Sequence, residues 1–151
     1  MSIEIIAYYH LRPTNTEELT HDADIREMTV ILGEDAHLGA LQEGGYIVSD
    51  IGYSFNHDTR AYSDWCSKLK KMAGLDEKDN NHLRPFGELF ACEKGGLIAE
   101  DVADKLLGFF LTYDEHAKMF DSMSFYHIYY QWTQALRVAT KMGGAILLKR
   151  R

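Results

Sequence analysis

Two dipeptides place an imidazole beside a carboxylate: His21-Asp22, with Asp24 close behind, and His57-Asp58, followed by Arg60. That pairing is what a general base or a metal site needs. Together His21, Asp24, His57, Asp58 and Arg60 would suit a pocket for a nucleotide-like ligand, with an aromatic ring stacking on the base. Both dipeptides fall in turn-rich segments flanked by β-type sequence, where such residues are more often part of a solvated loop. The seven histidines (His10, His21, His37, His57, His82, His116, His127) are scattered, and none has a second histidine four residues on, the spacing of a helix-borne zinc site. Gly-x-x-x-x-Gly-Lys, Gly-x-Gly-x-x-Gly and Gly-x-Ser-x-Gly are all missing, so the common phosphate-loop, dinucleotide and hydrolase signatures give no support to an enzyme. The sequence therefore assigns no catalytic residue, no metal ligand and no cofactor. A nucleotide-like ligand site, or a metal-dependent hydrolase built on the two His-Asp pairs, is the alternative reading.

Charge points to a different activity. The 16 Lys and Arg against 23 Asp and Glu give a formal charge of −7. Residues 1 to 58 hold eleven of the acids (Glu4, Glu17, Glu18, Asp22, Asp24, Glu27, Glu34, Asp35, Glu43, Asp50, Asp58) against Arg12 and Arg26 alone, which makes that stretch −9 and the remainder +2. Such a field repels nucleic-acid phosphates and steers basic proteins inward, although a merely solubilising surface uses the same residues. The expected function is a non-enzymatic binding protein with a basic macromolecular partner. Glu17, Glu18, Asp22, Asp24 and Asp58 are candidate contacts, with Arg60 beside them.

Aromatic side chains are the other concentration of binding potential, since Tyr and Trp supply rigid contact area. Trp65, Tyr129 and Trp132 lie on apolar helical stripes and are expected in the core. Tyr126 and Tyr130 lie off the stripe of their helix and are expected at the surface, where they would suit a partner or a twofold contact in a homodimer.

The elements that must position these residues follow from periodicity. Ser2 to His10 alternates as a strand apolar on both faces and stops near Pro13, Thr14 to Asp24 reads as a loop or short helix, and Met28 to Leu32 as a second strand. Tyr46 to Tyr53 alternates as a third. Tyr62, Trp65, Cys66, Leu69, Met72 and Ala73 share one helix stripe, capped by Asp58 or Thr59 and closed by Gly74. Residues 76 to 84 read as an exposed loop, and Phe86 to Cys92 fits either a strand or a helix. Leu97 to Phe120 carries a helical stripe (Val102, Leu106, Phe109, Phe110, Tyr113, Ala117) with a break near Thr112. Phe125, Ile128, Tyr129, Trp132, Leu136 and Ala139 define the last helix, with Ser122 or Ser124 as its cap. Gly143-Gly144 then turns the chain into a final strand, Ala145 to Leu148, that joins the N-terminal sheet. The fold class is α+β: one domain over residues 1 to 151, a small mixed or antiparallel sheet packed against about three helices.

A chain of 151 residues with 46% hydrophobic and 26% charged residues can build its own core. Met-Ser-Ile-Glu-Ile-Ile is no signal peptide, and no run of about 18 apolar residues occurs, so neither export nor membrane insertion is expected. Cys66 and Cys92 read as free thiols in a reducing compartment, the cytoplasm.

The order Phe55…Tyr62-x-x-Trp65…Leu69-x-x-Met72-Ala73-Gly74, Pro85-Phe86-x-Glu88-Leu89, Leu106, Phe109-Phe110, then Tyr130-x-Trp132…Ala139…Gly143-Gly144 resembles an uncharacterised family of small bacterial and phage proteins. The resemblance spans about residues 53 to 148 and is carried by aromatic and Gly positions. It implies a setting, a bacterial cytoplasm or a host cytoplasm for a phage-encoded chain; the role expected there, an accessory, immunity or counter-defence protein of a mobile element, follows from the small size, the missing catalytic signatures and the split charge. Glu88 is the one charged residue in its core motif and is a further candidate contact.

Overall fold

Strict alternation in Ile3, Ile5 and Ala7 against Glu4, Ile6 and Tyr8 sends one set of side chains to each face of a sheet, and the first strand sits at the heart of one. The computed structural model describes residues 1–9, 51–75, 85–141 and 143–150, together with the backbone of four strands between residues 11 and 48. In chain order the elements are β1 (Ser2–Tyr8), β2 (Leu11–Thr14), β3 (Met28–Ile31), β4 (His37–Leu38), β5 (Gly44–Val48), β6 (Ile51–Asp58), α1 (Thr59–Met72), α2 (Gly87–Ala91), β7 (Gly96–Ala99), α3 (Glu100–Thr112), α4 (Asp114–Phe120), α5 (Met123–Ala139) and β8 (Ala145–Arg150). The fold is α+β, and no helix among the described residues is long and apolar enough to cross a membrane.

The main sheet has the order β4-β7-β8-β1-β6 and a smaller one the order β2-β5-β3. All pairings are antiparallel except β4 with β7. Tyr8 stands opposite Ile51 in the main sheet, and Leu11, three residues on, stands opposite Val48, three residues back, in the smaller one. β8 lies on the other side of β1, as expected from the last strand, and ties the two ends of the described chain together.

One face of the main sheet carries Ile3, Ile5, Ala7, Phe55, Ile98, Ile146 and Leu148 into a core shared with Trp65, Leu69, Leu106, Phe110, Trp132 and Leu136 from the helices. Ile6 and Tyr8 are buried on the opposite face with Leu147 against them. α1 buries the expected stripe, and Asp58 caps it by accepting from the amides of Arg60 and Ala61. Ser122 caps α5 by accepting from the Phe125 amide at 3.3 Å. Gly74 and Gly143 both take positive φ, 75° and 79°, where a side chain would be strained.

Several expectations need correction. The strand expected over Tyr46 to Tyr53 is two strands in two sheets, and β6 runs on through His57 to Asp58. Pro13 does not end the first strand region. It lies in β2 at the edge of the smaller sheet, where its missing N–H costs little. Leu97 begins no helix, because Gly96–Ala99 is a fully buried strand and α3 starts at Glu100. A short apolar run has no period of its own, so the ladder with β8 decides its conformation. The expected break near Thr112 is present between α3 and α4. Phe86 adopts the left-handed region at φ 63°, and α2 follows it. Its ring is fully buried within 5.0–5.8 Å of Phe109, Phe110 and Tyr113, a burial that outweighs a backbone cost of about 1–2 kcal/mol. The segments 14–24 (beyond Thr14) and 76–84 lie outside the described residues.

Both cysteines are free and buried. Burial pushes the Cys92 thiol from its ordinary 9.0 up to about 11, and raises Cys66 further still. The folded chain thus holds the Cys92 proton to higher pH than the unfolded chain. Its contribution is complete below about pH 9 and is lost as pH rises toward about 11. Urea titrations across that interval should show wild type losing on the order of 2 kcal/mol more than Cys92→Ala. Identical losses in the two proteins would remove burial as the cause.

Candidate functional site

β6 ends where α1 begins, so the His57-Asp58 dipeptide occupies the junction between a sheet edge and a helix N-terminus. Strand alternation turns the two side chains to opposite faces. His57 faces α5, edge-on to Phe55 at 5.8 Å, and its Nε2 is 2.6 Å from Gln131 Oε1. Asp58 faces the other way. Its Oδ2 accepts from the Arg60 amide at 3.1 Å and the Ala61 amide at 3.3 Å, satisfying two orphan donors of the first turn. The dipeptide therefore forms no His-Asp dyad: imidazole and carboxylate serve separate structural partners.

Each face of the junction has an open concavity. On the helix side a space of about 470 Å³ is lined by His57, Met123, Ser124, His127 and Ile128. On the other side a space of about 560 Å³ is lined by Met1, Asp58, Thr59, Arg60, Ser63 and Asp64. Asp58, Arg60 and Asp64 are exposed there, so two carboxylates and a guanidinium share one rim. Among the described residues no group of three or more His, Cys, Asp or Glu could hold a metal ion.

Of the candidate contacts, Asp58 and Arg60 come together in this second concavity. Glu17, Glu18, Asp22 and Asp24, and with them His21, lie outside the described residues. Glu88 lines neither concavity. It is buried on α2, where Oε1 pairs with Lys105 Nζ from α3 while Oε2 is buried without a hydrogen-bond partner. A carboxylate so enclosed is part of the α2/α3 packing.

The two tyrosines separate. Tyr126, expected at the surface, is half-buried: its hydroxyl donates to Asp114 Oδ1 at 2.8 Å and its ring stacks on Tyr129 at 5.9 Å. Burial first and Asp114 second raise its phenol. The off-stripe position did not expose it because α4 folds back beside α5 and brings Asp114 over it. Tyr130 is exposed as expected, and its hydroxyl accepts from Gln134 Nε2 at 3.1 Å. Trp65, Tyr129 and Trp132 are buried as expected.

Met123, Ser124 and His127 are not among the candidate contacts read from the sequence, although a signal for Met123 and His127 is present. Met123, His127, Tyr130 and Gln134 recur four, three and four residues apart, which places them on one outward stripe of α5. Ser63 and Asp64, the other missed pair, gave no such signal. Compared with protein-family models, with curated proteins and with solved structures, the chain matches none.

Proposed function

We propose that the chain is a non-enzymatic binding protein that engages a basic macromolecular partner, as an accessory, immunity or counter-defence protein of a bacterium or phage would. The charge division carries this reading: −9 over residues 1 to 58 against +2 over the remainder. Supporting it, the groups best suited to chemistry at the β6/α1 junction have structural work, His57 with Gln131 and Asp58 with the α1 amides. Asp58 and Asp64 are both exposed at the start of α1. A basic partner gains from such a field mainly in association rate and selectivity, both sensitive to salt.

The test is a pull-down from host lysate at low and high salt, with captured proteins identified by mass spectrometry. The companion is a variant carrying Glu17→Lys, Glu18→Lys, Asp22→Lys and Asp24→Lys; each reversal adds two charges, which brings the acidic stretch from −9 to −1. A basic partner retained by wild type at low salt should be lost at high salt and lost by the variant. A complex indifferent to both changes sinks the charge mechanism.

A further inference from the structure

β6 is the terminal strand of the main sheet, and among the described residues its ladder partner is β1 alone. The direction of its backbone groups follows from the bond that closes this ladder, in which the Thr59 amide donates to the Met1 carbonyl at 3.1 Å. Hydrogen-bonded and non-hydrogen-bonded pairs alternate in an antiparallel ladder. Tyr53, Phe55 and His57, opposite Ala7, Ile5 and Ile3, therefore turn their amide and carbonyl groups toward β1. Ser54, Asn56 and Asp58 turn theirs outward.

Edges of this kind are normally blunted by lysine, proline, a bulge or a covering element. β6 has no Pro, Lys, Arg or Glu, and its register with β1 is unbroken from Ser2↔Asp58 to Ala7↔Tyr53, shifting only at Tyr8. Such an edge is a template for a further antiparallel strand.

We infer that β6 pairs antiparallel with β6 of a second copy across a twofold axis, joining the two main sheets into one. Outward-facing residues must meet outward-facing residues, and the register centred on Phe55 sets Ser54 opposite Asn56, Tyr53 opposite His57 and Phe55 opposite itself. Every facing pair is compatible. A hydroxyl meets a carboxamide, Tyr53 meets His57, and the two Asp58 carboxylates stand at opposite ends of the pairing instead of facing each other.

A two-strand contact alone falls short of the about 800 Å² per partner of a stable interface. The outward stripe of α5, packed over β6, adds to it where it meets its own copy beside the same axis. Met123 is 82% exposed and Tyr130 48%, with His127 between them at the spacing of a helix seam. Asp58 is the one β6 residue that this contact shares with the acidic surface proposed above, and the variants that test it, at Asn56 and Tyr130, leave that carboxylate in place.

Light scattering on the full chain tests it, with Asn56→Pro and Tyr130→Glu alongside wild type. Proline at 56 removes an outward N–H and leaves every bond to β1 in place. Wild type should reach twice the mass of one chain as concentration rises, Asn56→Pro should stay at the single mass with an unchanged circular-dichroism spectrum, and Tyr130→Glu should raise the dissociation constant by about tenfold or more. Amide hydrogen exchange on wild type decides the matter even where the proline variant does not fold: the Ser54 and Asn56 amides should slow with rising concentration. A wild type monomeric at every concentration overturns the inference, as does an Asn56→Pro variant that still dimerises. So do Ser54 and Asn56 amides protected equally at all concentrations, which would mean that the chain covers its own edge.

Discussion

Trp132→Ala should lose about 3–5 kcal/mol of unfolding free energy, a large share of the 5–15 kcal/mol that holds a domain of this size together. Trp132 is fully buried and heads the ranking of such side chains by volume. Its ring meets Phe55 of β6 edge-on at 5.9 Å and lies 6.4 Å from Phe110 of α3, so one side chain joins sheet, α3 and α5. Truncation removes the contact area and leaves a cavity between elements whose separation is set by other contacts, α3 against α5 through Phe110 and Tyr129 at 4.6 Å among them. The indole Nε1 is buried beside the Tyr62 hydroxyl without closing a well-formed hydrogen bond to it, so Trp132→Phe forfeits little polar energy and should cost about 1–2 kcal/mol. Urea titration followed by circular dichroism measures both. A loss below about 1 kcal/mol for Trp132→Ala would show that the three elements do not depend on this ring.

Gly144→Ala should be nearly as damaging, at about 3 kcal/mol or more, although it adds a single methyl group. A Cβ at Gly144 would overlap the Tyr8 carbonyl oxygen and stand 2.7 Å from the Ala139 carbonyl oxygen. These are backbone atoms and cannot swing aside. Either β8 separates from β1 or the last turn of α5 gives way. Gly143→Ala is the control: its nearest neighbour would be Glu100 Oε2 at 3.9 Å, so it meets only the left-handed backbone penalty of about 1–2 kcal/mol. Thermal melts of the two variants separate the causes. Equal losses would mean that the close approach of Gly144 to Tyr8 is not what limits the fold.

These two sites explain why the helices were easier to read than their surroundings. Trp132 stands on a stripe that repeats through α5, and Gly143-Gly144 marks the helix end, both of them local patterns. The reason for Gly144 itself is remote, since it lies in the Tyr8 carbonyl, far back in the sequence. The same division runs through the candidate site. Asp58 as a cap was legible beside the stripe of α1, whereas the partner of His57 is Gln131, 74 residues away. Adjacency in the sequence suggested a His-Asp dyad, and a strand's period of two sent the pair to opposite faces instead.

What the sequence determined by itself was the α+β class, the stripes of α1 and α5, the buried rings of Trp65, Tyr129 and Trp132, and the division of charge, while it narrowed each cap to two residues. Each depends on residue type and short-range spacing, which the chain carries without reference to its fold. Tertiary structure alone decided that Gly96–Ala99 is a strand, that Tyr126 turns in to Asp114, that Glu88 is enclosed beside Lys105, and that β6 is the terminal strand of the main sheet among the described residues. An apolar run takes its conformation from the ladder it joins, a polar side chain its environment from the element folded over it, and an edge exists only once the strand order is complete.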